Sequence, residues 1–410
     1  MNNTIKLAVA SALLAAASSA NAGIMIPAGD WTLDIGGNVN AYYSYNKGES
    51  SANNASSAAG AITFGENGAG EDVNTTITTG LLPSFLSFSG KTRQNDLDVG
   101  FTISIQPGIA VGDSLNSADQ ENRQSFLTFG DKSWGTIKAG RDLGIFASTA
   151  ILSDITLLGV GGAGGNVAGT TTLGGIGSGY LYADWKAQIS YASPNWNGFS
   201  FAVGVTQPWN VSNFQGSTNT VVNHSTSTPG FEGQATYEWA GDVAGKVWGG
   251  FIYQKVEDLG ITAAGEFGDE SARGFDIGAT VNVAGFGLTG YYYDGKGIGT
   301  TGFLSNAFDA TGKRRDSDGG YVQGTFTVPG AGTKLGLAYG ISNLDQTRAD
   351  KLAAVNLVEE NERWTAGVYH PLTKHLNLVA EYNRTSSSSH KAGVKDADND
   401  NVSLGAILFF

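Results

Sequence analysis

Two stretches of this 410-residue chain spell the glycine fingerprint of dinucleotide binding, Gly285-Phe-Gly287-Leu-Thr-Gly290 and Gly297-Ile-Gly299-Thr-Thr-Gly302. That chemistry needs the glycines to leave a strand and open a helix whose N-terminus holds the pyrophosphate. Neither stretch opens an apolar-periodic helix, and the first runs into the strand-like Tyr291-Tyr292-Tyr293. Gly290 to Lys296 approaches a phosphate loop, but Gly297 stands where a Ser or Thr hydroxyl must meet the metal. His224, His370, His375 and His390 lack metal-ligand spacing, and no G-x-S-x-G elbow occurs. With 60 glycines, such matches are the expected background. No catalytic residue, cofactor or metal ligand is assigned.

What remains able to act is charge. Arg123, Lys138, Arg141 and Lys186 bracket a stretch of Gly, Thr, Leu and Ala in which Asp154 is the one acid between Asp142 and Asp184. Charges set at a narrow point sort solutes by sign and size. Whether these do so depends on the elements that carry them.

The leading 22 residues read as a secretory signal: Lys6, an apolar run from Leu7 to Ala17, and Ala20-Asn21-Ala22 before Gly23. Excising them removes one Lys from the 24 Lys+Arg, leaving 23 against 37 Asp+Glu and a net charge of −14. That acidity argues against nucleic acid as a partner, since phosphate binding needs a basic footprint. The chain has no cysteine, so a disulfide framework is excluded although the destination is exported. Its glycine load costs too much backbone entropy for a helical protein. After the leader no run of about 18 apolar residues is present to span a membrane as a helix.

Period-2 alternation pervades the mature part, residues 23–410. Leu97, Val99, Phe101, Ile103 and Ile105 alternate with Asp98, Gly100, Thr102, Ser104 and Gln106. Phe275, Ile277, Ala279 and Val281 alternate with Gly274, Asp276, Gly278 and Thr280. Short turns near Lys91–Asn95, Asp131–Gly135, Pro194–Gly198, Gly241–Gly245, Ala284–Gly287, Pro329–Gly332 and Pro371–His375 take turns with long loops. The long ones cover 47–76, 108–121, 143–182, 208–229, 257–271, 296–315, 343–360 and 387–399. Seven short and eight long connections imply 16 strands with both termini on the short-turn side. The fold class expected is all-β: a single 16-stranded antiparallel transmembrane β-barrel. Segments 77–90 and 246–255 fit either register.

The last segment, Asn401 to Phe410, places Val402, Leu404, Ala406, Leu408 and Phe410 on one face. It resembles the closing strand of Gram-negative general porins, as do the stretch from Asp30 to Tyr45 and the hairpin from Arg123 to Asp142 with the long loop after it. The resemblance implies a passive outer-membrane channel for small hydrophilic solutes, set among lipid and lipopolysaccharide, with periplasmic termini and homotrimeric assembly. It implies recognition of Phe410 by the barrel-assembly machinery, and a third extracellular loop folded inward against basic wall residues. A substrate-specific channel, for an organic acid or sugar, and a barrel enzyme are the alternatives.

On that likeness, Asp154 is the loop acid of a pore constriction. Lys138 and Lys186 are its wall cations, because they share the polar parity of their strands. Arg123 and Arg141 have the other parity and join them if a bulge or strand end turns them inward. Asp98, Asp184, Asp276, Lys334, Arg363 and Glu381 line the lumen elsewhere. Tyr291 and Tyr293 also have lumen parity, the placement an aromatic slide for sugars would need. Acidic runs such as Asp396, Asp398 and Asp400 read as hydrated loop faces, with cation bridges to lipopolysaccharide phosphates the sharper alternative.

Overall fold

The computed structural model describes residues 23–48, 72–110, 114–162, 170–211, 227–257, 259–261, 265–266 and 268–410. The expected leader, 1–22, lies outside the described residues. In chain order the strands begin with β1 (Ile24–Ala28), β2 (Trp31–Gly48), β3 (Val73–Thr78), β4 (Phe85–Gln94), β5 (Leu97–Pro107), β6 (Gln120–Asp131) and β7 (Gly135–Leu143). After the long third loop come β8 (Trp185–Ala192), β9 (Phe199–Thr206), β10 (Gly230–Trp239) and β11 (Val243–Val256). Then follow a two-residue pair, β12 (Gly260–Ile261) and β13 (Gly265–Glu266), and β14 (Glu270–Val283), β15 (Phe286–Lys296) and β16 (Asp316–Thr327). The chain closes with β17 (Lys334–Leu344), β18 (Val358–Pro371), β19 (Leu376–Ser389) and β20 (Ala397–Phe409).

Around the wall each stave pairs antiparallel with the next, β11 with β14 past the separate β12–β13 pair, and β20 returns to pair with β2 from Asn38 to Gly48. β3 and β4 lie along the two halves of β2 and so form one interrupted stave. β1 pairs with Trp31–Ile35 of β2, where β20 has already ended, and prolongs the β20 line. The result is a closed barrel of sixteen staves. Closure pairs the strand edges, which hydrocarbon demands because it offers no hydrogen-bond partner.

The two faces separate as the alternation predicts. Ile103, Ile189, Ile277, Leu288, Leu337 and Leu404 are each more than half exposed on the outer face. Ser104, Gln188, Asp276, Thr289 and Ser403 are buried on the inner one. An apolar outer band over a polar interior suits lipid outside. Turn chemistry agrees: Asn95 and Asp96 both take positive φ, 47° and 62°, the pairing a tight two-residue hairpin requires.

Two segments depart from regular alternation. Residues 77–90 are not one strand, because Thr79–Ser84 leaves the ladder. Pro83 cannot donate to a ladder, and the inner asparagines of β2 take over. Asn40 Nδ2 donates to Leu82 O at 3.0 Å, Asn38 Nδ2 to Pro83 O at 3.0 Å, and Gly80 N donates to Asn40 Oδ1 at 3.0 Å. In 246–255, Trp248 and Ile252 are buried on the inner face while Phe251 and Tyr253 are exposed outside. Both faces are apolar there, which is why periodicity leaves the register open.

Ion pairs tie the long loops. The Arg315 guanidinium is bidentate to Asp350, at 2.8 and 2.7 Å, joining the loop 297–315 to the loop 345–357. Burial pushes the Asp350 carboxyl up, but Arg315 outweighs it and holds the group below its usual range. Glu257 accepts from Lys255 Nζ at 2.7 Å and from Ser227 N at 2.7 Å. Lys255, then Ser227, lower it from 4.5 to about 2. A carboxylate depressed in the folded state stabilises its contacts above its ordinary pKa and loses that contribution as pH falls towards the folded value. The contact between Ser227 and Glu257 is therefore expected to hold at neutral pH and open between pH 4.5 and about 2. Amide exchange at Ser227 against pH checks this; exchange independent of pH across that window, after correction for the intrinsic rate, would rule it out.

Candidate functional site

The segment 144–184, between β7 and β8, is seated on the inner-parity side chains of the wall. Gly144 N donates to Asp184 O at 2.7 Å and closes its root. Glu232 of β10 accepts from Ile145 N at 2.6 Å and Phe146 N at 3.1 Å. Asp276 of β14 accepts from Ala147 N at 3.1 Å. After the short helix Ser148–Ser153, Gln323 of β16 receives Ile155 N at 3.0 Å and donates to Ser153 O at 2.6 Å. Glu381 of β19 accepts from Val160 N and Gly161 N, both at 2.9 Å. Farther on, Asn361 Nδ2 of β18 donates to Gly177 O at 3.2 Å, and Gly179 N donates to Ser342 Oγ of β17 at 3.0 Å.

A loop removed from water must find partners for its backbone groups, because an unpaired buried donor costs about 1–3 kcal/mol. Here wall carboxylates and amides supply them, aimed mostly at main-chain N–H groups. Apolar packing adds to the seat. Phe146, Ala150, Ile151 and Tyr180 of the segment form one cluster with Trp248, Tyr291, Tyr293 and Tyr321 of the wall. Tyr291 and Tyr293 thus have the inner placement their parity predicts, but at 5% and 0% exposure they are core. They offer no surface to a passing sugar.

Asp154 is 4% exposed. It accepts from Tyr180 OH at 2.8 Å, Gly175 N at 3.1 Å and Thr156 N at 2.9 Å, and pairs with Arg363 Nη2 at 3.3 Å. Its partner is therefore a residue expected to line the lumen elsewhere, not one of the four cations near the loop root. Any side chain at Gly175 would collide with this pair: a Cβ there falls 2.6 Å from Arg363 Nη2 and 2.7 Å from Asp154 Oδ2.

Three of the four wall cations are also paired. Lys138 bonds Asp142 and lies over the Phe126 ring, 5.1 Å from its centroid. Lys186, 2% exposed, bonds Glu232 between the rings of Trp209 and Phe303. Arg123 is buried through a bulge: the β5–β6 register shifts between Ser104 and Ile105, opposite it. It meets Glu121 at 2.7 Å and covers Trp185 at 5.7 Å. Arg141 is exposed, just past Gly140, whose φ is 135°. Asp184 sits at the loop root with Trp185 N donating to it at 2.6 Å. Asp276, Arg363 and Glu381 hold the loop. Asp98 and Lys334 lie at the short-turn rim, Asp98 paired with Arg93 at 2.9 Å and Lys334 exposed.

Sequence reasoning singled out neither Glu232 nor Gln323 as a site residue. Glu232 stands on the polar parity of its strand, so a rule seeking acids on the inner face of every stave would have found it. Gln323 carries no comparable signal. Among the described residues no group of three His, Asp or Glu is placed to hold a metal ion.

A model of the Gram-negative porin family matches residues 8–390. No curated protein matches. Among solved structures, the chain is similar to the outer membrane channel DcaP of Acinetobacter baumannii, with a TM-score of 0.68 and 16% identity over 95% of this chain and 100% of that one. It is similar to OmpF of Salmonella typhi, solved with daunomycin, at 0.58 and 14% over 94% of this chain and 100% of that one. Outer-membrane-expressed OmpT of Vibrio cholerae gives 0.55 and 15% over 94% and 100%.

Proposed function

This chain belongs to the Gram-negative porin family, and from that we propose that its outer-membrane barrel is a passive channel for small hydrophilic solutes, narrowed by an inward fold of residues 144–184. A wall of sixteen strands is too wide to be filled by its own side chains, so an aqueous path remains. The observation that carries the narrowing is the ring of inner-face partners, Glu232, Asp276, Gln323, Arg363 and Glu381, gripping that one segment from five staves. Transport then follows a gradient and needs no cofactor, energy source or catalytic group.

Further features of this reading rest on the family likeness and on charge. Residues 1–22 act as the leader and 23–410 as the barrel, with periplasmic termini and homotrimeric assembly. Phe410 at the end of β20 is the signal for the barrel-assembly machinery. Outer-loop acids form hydrated faces toward lipopolysaccharide.

The inner charges of this pore largely cancel. Lys138 with Asp142, Lys186 with Glu232 and Arg363 with Asp154 each sum to zero, and the remaining inner carboxylates, Asp276 and Glu381, are buried against the loop, so the parent channel is expected to select weakly. Replacing Lys138 and Lys186 together by Gln uncovers two carboxylates. The reversal potential in a salt gradient across a planar bilayer should move toward cation preference. The shift should shrink as salt rises, since the Debye length is roughly 8 Å at physiological ionic strength. An unchanged potential would place both lysines outside the conducting path, and absence of stepwise conductance in the parent would defeat the channel itself.

A further inference from the structure

Beside the loop root lies a cavity of about 610 Å3. That falls in the range of small-molecule sites, which are mainly apolar with a few convergent polar groups. Trp185, Trp209, Phe303 and Leu157 give it an apolar wall, while Arg123, Arg141, Glu121 and Asp184 bring charge to the same space. The charges are not equivalent. Arg123 is already joined to Glu121 at 2.7 Å. Arg141 and Asp184 line one cavity and form no direct ion pair with each other, although Lys186, Arg141 and Arg123 all act on the Asp184 carboxylate through space. Opposite charges that line one cavity without a direct bond between them are matched by a ligand carrying both signs.

We propose that this cavity binds a zwitterionic aromatic amino acid, its carboxylate toward Arg141, its ammonium toward Asp184 and its ring against Trp185, Trp209 and Phe303. A single-sign ligand would leave one of the two wall charges facing it unmatched, and a neutral sugar would match neither. Aromatic side chains favour a ring through stacking, and indole is the best face for a nearby cation. The inference rests on the channel reading and adds a preferred solute to it. Permeation of such a solute saturates, because a bound molecule must leave before the next enters.

Liposome swelling with L-phenylalanine, 3-phenylpropionate, phenethylamine and arabinose tests this in the full-length barrel. Four probes separate head-group charge from ring binding. Phenylalanine flux should saturate with concentration, while the other three stay linear. Arg141→Gln and Asp184→Asn should each lower the phenylalanine-to-arabinose flux ratio roughly tenfold, the scale of one lost charged hydrogen bond. Arg141→Lys and Asp184→Glu should restore most of it. Linear phenylalanine flux in the parent overturns the proposal without any variant. So does equal saturation by phenylpropionate or phenethylamine, or a ratio indifferent to both neutral substitutions. Absence of arabinose flux in the parent would defeat the channel reading instead.

Discussion

Arg363→Met should loosen the hold of the wall on residues 144–184 while leaving the barrel closed. The substitution strands Asp154 as an uncompensated carboxylate at 4% exposure, with Thr156 and Tyr180 also turned toward it. Breaking a buried pair from one side costs about 3–5 kcal/mol, much more than an exposed surface pair is worth. The loss falls on the loop, because the groups that Arg363 bonds among the described residues, Thr156 and Asp154, belong to it. Protease should therefore cut within 144–184 in the variant, and single-channel current should become larger and noisier. Adding Asp154→Asn removes the orphaned charge and should return both readouts most of the way. A single variant as protease-resistant and quiet as the parent would show that this pair does not hold the loop.

Glu232→Ala is expected to be at least as damaging, for a different reason. It withdraws the acceptor of Ile145 N and Phe146 N and uncovers Lys186, 2% exposed, between two aromatic rings. The unpaired lysine alone is worth about 3–5 kcal/mol, and each stranded buried donor adds about 1–3 kcal/mol. The midpoint of thermal unfolding in detergent should fall accordingly. Lys186→Met in the same chain should recover the lysine's share but not the backbone's. A double-mutant cycle separates the two, and coupling below about 0.5 kcal/mol, the floor for contacting residues, would mean that the pair is incidental to the seat of the loop.

Much of this architecture is legible in the amino-acid order because lipid imposes a rule on every second residue. Leu97 to Gln106 declares its two faces unaided, and so does Phe275 to Thr280. The rule weakens where a third body covers the inner face. Trp248, Ile252, Tyr291 and Tyr321 are apolar on the side that elsewhere is polar, since they pack on the loop and not on water. It fails at Thr79–Ser84 too, where side-chain amides from β2 substitute for ladder bonds. Asp154, Lys186 and Arg363 are singled out by order alone, but neither Glu232 nor the pairings are. Asp154 and Arg363 are 209 positions apart, and Lys186 and Glu232 are 46 apart. Nothing short-range links them. Arg123 is the instructive case: its parity points outward, and one bulge on β6 reverses that.

The clamps at Glu232, Asp276 and Glu381 address main-chain N–H groups, so they are indifferent to which side chain follows each Cα. The donors at 145, 146, 147 and 160 survive any substitution but proline, which has no N–H to offer, whereas Gly161, at a φ of 70° and with a Cβ position 2.3 Å from Gly174 Cα, must stay glycine. The lining of the passage is thereby uncoupled from the fastening of the strap that forms it. Rewriting what the strap displays to the lumen, in the laboratory or over generations, leaves its moorings in place, and one rigid frame can serve many filters.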